Sequence, residues 1–317
     1  MTAASGTLGA TPVARRGSRT ARRIGGFARQ FLGRSDGILG LAILLVFTVL
    51  ALFPSLFVGP LEDVTTATGL PLAPPDLVHV FGTDELGRDM LNLTIHGARI
   101  SMTIGLMATL ITIFLGAVVG ILSGFAGGVL DALLMRISDF FLVLPTVVLA
   151  LILAPVILDV IGADAEFMGI RATLLVIVIV IGLTSWATTA RVIRSQVLSL
   201  KERMFVDRAR VIGSGPGRIM RRHILPNVIN LIVAQAVLTF AGAVFTETTL
   251  AFIGLGDPAA PSWGQILNTA QSAGAPGLGA WWYIAPPAVC VVLVVLAFTL
   301  VGNALDDVLN PKSSARR

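Results

Sequence analysis

The chain has 317 residues, of which 55% are apolar and only 13% are charged, and its mean hydropathy is +0.87. Soluble domains carry about 25% charged residues, so this composition excludes a disordered protein, a nucleic-acid-binding domain and an ordinary cytosolic enzyme. A helix needs about 20 mostly apolar residues to cross the roughly 30 Å hydrocarbon core of a bilayer. The composition therefore predicts a polytopic membrane protein.

Long charge-free stretches mark the predicted spans. Asp, Glu, Lys and Arg are absent from 37–61, 100–130, 140–158, 172–190, 224–246 and 258–305. These stretches do not alternate polar and apolar residues as barrel strands do, so each predicts a helix. Because 258–282 is rich in Gly, Pro, Ser and Ala, the sixth span is expected at about 283–303. The predicted fold is all-α, with six transmembrane helices.

The placement of basic residues predicts the orientation. Of the 23 lysines and arginines, 20 fall in the N-terminal tail, the loop after the second span, the segment between the fourth and fifth spans, or the C-terminal tail. In a six-span topology these regions share one side of the membrane. Only Arg88, Arg99 and Arg171 fall on the other side. Since positively charged loops stay in the cytoplasm, both termini are expected there.

The sequence shows no motif of an enzyme or a cofactor site. Neither of its two lysines, Lys201 and Lys312, follows a phosphate-binding glycine loop, so we expect no ATP site in this chain. His79, His96 and His223 form no cluster with metal-ligand spacing. The chain is therefore expected to be no enzyme and to bind no metal, no cofactor and no nucleic acid of its own.

The segment between the fourth and fifth spans carries the strongest pattern. Helical spacing over 202–212 places four apolar residues on one face: Phe205, Val206, Ala209 and Ile212. A turn rich in glycine and proline ends this helix, a second short helix follows, and Leu225-Pro226 is expected to start the fifth span. The residues alone leave two interpretations open, a hairpin that a soluble partner binds or a basic loop that only sets topology.

This segment resembles the EAA motif of binding-protein-dependent ABC importer permeases, E-A-A-x3-G-x9-I-x-L-P. Asp207, Arg208 and Ala209 occupy the E-A-A positions, Gly213 the glycine, and Leu225-Pro226 the L-P. The chain departs from the motif with Asp for Glu, Arg208 for the first Ala and His223 for Ile. In that family the motif docks into the ATP-binding subunit. The resemblance thus implies ATPase coupling by Phe205, Asp207, Arg208, Ala209, Gly213, His223, Leu225 and Pro226.

Further stretches are similar to the dipeptide, oligopeptide and nickel branch of these permeases, of the DppC/OppC kind. They are 82–89, 97–101, 135–139, 247–256, 261–264 and 306–311. The resemblance implies a type I ABC importer permease fold in the bacterial inner membrane. It also implies import of dipeptides or oligopeptides, with a second homologous permease, ATP-binding subunits that hold ATP and Mg, an extracytoplasmic solute-binding protein and the lipid bilayer as partners.

The resemblance and the charge map together suggest a division of the chain. A basic cytoplasmic tail (1–35) precedes an N-terminal span and extracytoplasmic loop (36–99). A core permease domain follows (100–303), with a cytoplasmic coupling segment inside it (191–227), and a cytoplasmic tail ends the chain (304–317). The solute-binding protein is expected to dock on the outer loops at about 58–99, 161–171 and 254–282.

Two acidic residues bear on the alternative of an ion-driven secondary transporter or channel subunit, which would need charged groups within the membrane. Asp139 follows Arg136 by three residues, which predicts an intrahelical ion pair. Glu247 is the candidate pathway residue, and it either faces the pathway or forms hydrogen bonds within the bundle. The middle of each span is otherwise free of charge, which favours the ATP-driven importer.

Three other groups of residues have structural interpretations. The carboxylates of 82–89 are expected to cap the start of the second span rather than to hold a metal or a substrate. Close helix packing is expected at Gly105, Gly116 and Gly120. Anchoring in the outer membrane interface is expected of Trp263, Trp281 and Trp282.

Overall fold

The computed structural model describes residues 30–162, 165–167 and 170–309, so the basic N-terminal tail up to residue 29, the last eight residues and part of the 161–171 loop lie outside it. The helices are α1 (Ser35–Leu52), α2 (Pro54–Val58), α3 (Met90–Ala126), α4 (Gly128–Val143), α5 (Thr146–Ile161), α6 (Ala172–Lys201), α7 (Met204–Val211), α8 (Pro216–Ile219), α9 (Leu225–Leu250), α10 (Trp263–Ser272) and α11 (Trp281–Leu309). Two π-helical segments (Met220–Ile224 and Ala251–Leu255) flank α9. Antiparallel two-residue strands β1 (Glu166–Phe167) and β2 (Ile170–Arg171) precede α6, with Glu166 opposite Arg171.

Five helices in the described part of the chain are long and apolar enough to cross a membrane: α1, α3, α6, the continuous helix Pro216–Leu255 and α11. The predicted span at 140–158 falls instead on α4 and α5, which are bent by 94° relative to each other. Pro145 causes this break, since a proline disfavours the helical conformation of the residue before it, and Leu144 is extended. Counted as one broken span, this pair completes the six predicted spans.

Helix α3 starts ten residues before the charge-free stretch that predicted it, because Asp89 caps it. The Asp89 carboxylate accepts hydrogen bonds from the Leu91 amide (2.6 Å) and the Asn92 amide (3.4 Å). Charge therefore marks the limit of the apolar core and not the limit of the helix. The predicted division at 99/100 lies inside α3 and that at 303/304 inside α11, and the domain organisation stays a prediction.

Small residues allow α3 to pack closely on its neighbours. A Cβ atom added to Gly116 would lie 2.6 Å from Thr189 Cβ on α6, and one added to Gly120 would lie 2.5 Å from the Ala190 carbonyl oxygen. At Gly105 the added atom would lie 2.5 Å from Val244 of α9. Real Cβ atoms are not found this close, so the expected packing role of these three glycines is confirmed.

The beginning of α1 and the end of α11 lie at one end of the bundle. Arg34 forms an ion pair with Asp307 at 2.8 Å. Asp306 lines a polar cavity of about 220 Å³ together with Leu200 and Asn227, which flank the segment between the fourth and fifth spans. The start of α1, the end of α11 and that segment thus share one side, as an even number of spans requires. The cytoplasmic identity of this side stays a prediction.

The other end of the bundle is covered by a capping loop, residues 59–89. Its Asp84 is fully buried. The Asp84 carboxylate accepts hydrogen bonds from the Leu86 amide (2.9 Å), the Arg88 amide (2.8 Å) and Arg88 Nε (2.7 Å). Glu62 accepts the Asp89 amide at 2.7 Å. The expected cap of the second span is confirmed for Asp89, whereas Asp84 stabilises the loop itself and does not cap α3.

Two of the three tryptophans are not exposed as interface anchors would be. Trp263 begins α10, which the sequence pattern did not predict, and it is fully buried. Its Nε1 donates to the Thr94 carbonyl (3.0 Å), and its ring meets Phe47 edge-on. The anchor interpretation is wrong for Trp263, because the loop after α9 folds back into the bundle. Trp282 is partly buried and donates to the Thr83 carbonyl (3.3 Å), whereas Trp281 is 63% exposed.

Candidate functional site

The hairpin between the fourth and fifth spans, residues 204–227, is anchored to the bundle by two residues of α7. Val206 and Ala209 are buried. They pack in one cluster with Ile193, Val197 and Leu200 of α6 and with Ile219, Ile224 and Val228 beyond the turn. The burial of Ala209 explains why a small residue suits the last position of the E-A-A pattern. Val206 and Ala209 thus pack α7 against the end of α6 and the start of α9.

The outer face of the hairpin exposes large apolar side chains. Met204 is 72% exposed, Val211 87% and Ile212 81%. With Asp207 and Arg208 they line an open groove of about 500 Å³. Contiguous apolar surface of this kind marks an interaction site in a soluble region.

The single apolar face expected for 202–212 is corrected by this arrangement. Val206 and Ala209 face the bundle, but Ile212 is 81% exposed and Phe205 40% exposed. At about 100° per residue, Phe205 and Ile212 lie to one side of the arc that Val206 and Ala209 form, and only this narrower arc is buried. The spacing of apolar residues does not distinguish a face that packs on the same chain from a face left for a partner.

Gly213 ends α7 in a Schellman turn. The Ser214 amide donates to the Ala209 carbonyl (2.9 Å), and the Gly213 amide donates to the Arg210 carbonyl (2.9 Å). This turn needs a left-handed residue after the helix, and Gly213 has φ = +81°. Glycine is the residue that adopts this conformation without steric cost, so the predicted helix end at Gly213 is confirmed.

The two charged residues of the E-A-A positions differ in their partners. Asp207, with a side chain 58% exposed, accepts a hydrogen bond from Arg210 Nη1 at 3.1 Å. Arg208 is exposed, and no carboxylate partner for it exists in the part of the chain that the structure describes. The arginine that replaces the first alanine of the motif therefore lies on the open groove, and its charge has no paired carboxylate among the described residues.

Of the remaining predicted coupling residues, Phe205 lies on α7 and the other three follow the turn. The His223 ring lies 6.0 Å from the Phe205 ring. Leu225 begins α9, and Pro226 lies in its first turn, where its missing amide costs no hydrogen bond. The structure thus brings all eight predicted residues into one hairpin. Their role in ATPase coupling stays a prediction.

The helix that leads into the hairpin is tied to the broken span, a connection that the sequence did not reveal. Arg194 of α6 donates to both carboxylate oxygens of Asp131, each at 2.6 Å. Asp139 pairs with Arg191 of α6, so the predicted Arg136–Asp139 pair is wrong. Residues 52 positions apart in the sequence form no local pattern that predicts their contact. Only the packing of α4 on α6 brings them together.

The end of α3 is held by the last residue of α6. Lys201 Nζ donates to the Gly124 carbonyl (3.2 Å) and the Phe125 carbonyl (2.9 Å). A lysine at a helix C-terminus satisfies carbonyl groups that have no partner within the helix. Together with the two ion pairs, this contact joins α3, α4 and α6 directly above the hairpin.

Glu247 lies within the bundle near the end of α9. It is fully buried, and its Oε1 has no hydrogen-bond partner in the described residues. Thr248 Oγ1 lies 3.4 Å from the other oxygen. The candidate role of Glu247 in the pathway stays a prediction.

The comparison with known families decides what kind of protein this is. The family described as "Binding-protein-dependent transport system inner membrane component" matches residues 116–315, which include α6, the hairpin and α9. The chain belongs to this family. It is therefore a permease subunit of the bacterial inner membrane with the type I ABC importer permease fold, as the resemblance implied.

Curated relatives cover most of this permease. The dipeptide transport system permease protein DppC of Bacillus subtilis strain 168 is 35% identical over 276 residues, which is 86% of this chain and 81% of DppC. The oligopeptide transport system permease protein OppC of the same organism is 34% identical over 286 residues, or 89% of this chain and 88% of OppC. A putative peptide permease protein of Brucella suis biovar 1 is 36% identical over 289 residues, 90% of each chain.

Proposed function

We propose that this permease forms half of the translocation pathway of an ATP-driven importer for dipeptides or oligopeptides. The names of the three relatives, all peptide permeases, support the substrate class. A second homologous permease supplies the other half of the pathway. The ATP-binding subunits hold ATP and Mg, and this chain hydrolyses no ATP itself, since it has no phosphate-binding loop.

The hairpin at 204–227 is the observation that carries the coupling role. It is anchored from behind by Val206 and Ala209 and exposes Met204, Val211 and Ile212 in front. A loop that only sets topology needs basic charge alone and gains nothing from apolar side chains in water. The exposed apolar patch of Met204, Val211 and Ile212, with Arg208 beside it, suits a surface of another subunit that is apolar at its centre and acidic at its rim.

The contacts behind the hairpin supply a route for its movement. Closure of the ATP-binding subunits displaces α7, and the buried pair Val206 and Ala209 carries that displacement to α6 and α9. The Asp131–Arg194 pair then moves the broken span with α6. For ATP to switch the bundle decisively between its inward-facing and outward-facing states, it must favour one state by about 5 kcal/mol over the other.

The end of the bundle opposite the hairpin faces the solute-binding protein in this proposal. The outer loops at about 58–99, 161–171 and 254–282 lie outside the membrane there. The capping loop makes that end a rigid platform, because its buried polar groups are bonded within the loop. Both termini and the hairpin are then cytoplasmic.

The test is the ATPase activity of the assembly purified with its binding protein, for the native chain and for two hairpin variants. Ile212→Asp places a charge in the exposed apolar patch. Gly213→Pro is incompatible with the backbone angle φ = +81° of Gly213. Both variants are expected to lower the stimulation by loaded binding protein at least about tenfold, the effect of roughly 1.4 kcal/mol.

A matched control makes the same type of change at the other end of the bundle. Leu77, in the capping loop, is as exposed as a side chain can be, and Leu77→Asp is expected to leave co-purification of the ATP-binding subunits unchanged. If Ile212→Asp and Gly213→Pro both import peptides at the native rate, the hairpin only sets topology and the coupling role is wrong.

A further inference from the structure

A cleft lined by both polar and apolar residues lies at half height of the bundle, between α3, α5, α6 and α9. Its volume is about 260 Å³. Its wall carries hydroxyl and amide side chains, among them Thr112, Ser185, Thr188, Gln235 and Thr239. Among the described residues that line it, none is ionisable. In a chain with 55% apolar residues, this concentration of neutral polar groups at membrane depth requires an explanation.

The polar groups of the cleft are only partly used by the protein itself, since Thr246 Oγ1 donates to the Gly242 carbonyl of its own helix (2.8 Å). Many hydroxyls elsewhere on the spans donate to a carbonyl of their own helix, as Thr184 does to Val180 (2.9 Å) and Thr299 does to Val295 (2.7 Å), although the buried Thr94 Oγ1 has no partner among the described residues. In the cleft, Thr112 Oγ1 is buried and has no hydrogen-bond partner in the described residues. Leaving such a group without a partner costs about 1–3 kcal/mol, so the free hydroxyl of Thr112 indicates a ligand or water in the cleft.

The broken span adds a further set of donors. Thr146, the first residue of α5, lies on the wall of the cleft, and no side chain caps this end of the helix. The first amides of a helix have no partner within it. Within the bilayer such a helix end is tolerated only where it is buried in protein or lines a water-filled cavity. The bend at Pro145 therefore places the start of α5, with its free N–H groups, at the wall of the cleft.

We infer that this cleft is the site where the imported peptide contacts this subunit, through neutral hydrogen bonds to the peptide backbone. The inference rests on the proposed function. Amide groups are common to all peptides, so hydroxyl, amide and helix N–H partners bind them whatever their side chains. Because no fixed charge lines the wall, neither charged end of a peptide is held, and the contacts stay weak enough for release.

The test uses a cysteine placed in the cleft of the complete importer in proteoliposomes. Cys290 is the only cysteine of the chain, so Cys290→Ala provides the background. Thr188→Cys, on the cleft wall, is expected to react with a membrane-impermeant thiol reagent. Trialanine supplied with the binding protein and ATP is expected to slow that reaction about fivefold, and the modification is expected to stop uptake.

Thr299→Cys on α11, half-buried and outside the cleft, is the matched control and is expected to show no protection.

Removal of hydroxyl groups gives a second measurement. Ser185→Ala combined with Thr239→Val is expected to slow trialanine uptake about fivefold, as the loss of neutral hydrogen bonds predicts. The subunits are expected to remain associated, and Thr299→Val is expected to be neutral. If the double variant instead releases the second permease while each remaining assembly imports normally, the cleft is a subunit interface and the inference is wrong.

The outcomes separate this inference from the proposed function. If the native assembly imports trialanine but the thiol reagent does not modify Thr188→Cys, the cleft is not part of the pathway. The proposal of peptide import is then unaffected. If native assembly imports no trialanine, peptide import fails. Labelling of Thr188→Cys without peptide then still tests whether the cleft belongs to an aqueous path. An unreactive cysteine overturns such a path, and a reactive cysteine supports it.

Discussion

The two ends of the bundle both carry charged loops, yet the structure uses these loops in opposite ways. The capping loop buries Asp84 and gives its carboxylate three hydrogen bonds. The hairpin at the other end leaves Val211 and Ile212 more than four-fifths exposed and Arg208 unpaired among the described residues. A loop whose polar groups bond to each other closes the fold. A loop that keeps apolar side chains in water is shaped for another surface.

The largest effect is expected from the carboxylate that closes the capping loop. Asp84→Ala removes the acceptor of Arg88 Nε and of two amides, and breaking one partner of a buried pair costs about 3–5 kcal/mol of unfolding free energy. Thermal unfolding of the purified subunit measures this loss. In the double variant Asp84→Ala, Arg88→Ala a large part of it is expected to return, since no unpaired charge remains. A single variant as stable as the native chain would contradict the closing role.

The two ion pairs between α4 and α6 test the route that connects the hairpin to the broken span. The Asp131 side chain is 16% exposed and bonds Arg194 through both oxygens, so Asp131→Ala is expected to cost about 1.5–3 kcal/mol. The Asp139 side chain is 38% exposed, and Asp139→Ala is expected to cost less than about 1 kcal/mol. Unfolding at low and high salt measures both, and equal losses would remove the distinction.

The turn after α7 is expected to respond locally. Gly213→Ala forces a side chain into the left-handed region, at a cost of about 1–2 kcal/mol. Because the turn lies outside the bundle, hydrogen exchange of 204–227 is expected to accelerate while global unfolding stays nearly unchanged. Gly217→Ala is the control, since Gly217 has open space around it and no positive φ. Equal acceleration in both variants would show that the conformation of Gly213 does not hold the hairpin.

The smallest effect on stability is expected at the exposed apolar patch of the hairpin (Met204, Val211 and Ile212). Ile212→Ser is expected to change the free energy of unfolding by less than about 0.5 kcal/mol, as surface changes do, while it weakens co-purification of the ATP-binding subunits. Val206→Ser, at a fully buried position two turns earlier, is expected to cost several times more. If Ile212→Ser destabilises the subunit as much as Val206→Ser does, the apolar patch stabilises the fold and does not form an interface.

The sequence was informative wherever the signal is local along the chain. Charge-free length predicted the spans, and the positions of Gly213 and Leu225-Pro226 predicted where the hairpin turns and where α9 begins. Asp89 could be predicted to cap α3, because a cap acts on amides only two or three residues away. Each of these outcomes depends on hydropathy or on hydrogen bonds within one turn, which neighbouring residues determine by themselves.

Tertiary structure alone decided the contacts between distant segments. The sequence could not show that Asp139 meets Arg191 rather than Arg136, or that Trp263 packs inside the bundle on a helix of its own. It could not show that Thr112, Ser185, Thr188 and Thr239 meet in one cleft, because their helices lie far apart along the chain. Hydropathy places a segment in the membrane, but the rotation of each helix about its axis depends on packing, and that rotation decides which side chains meet.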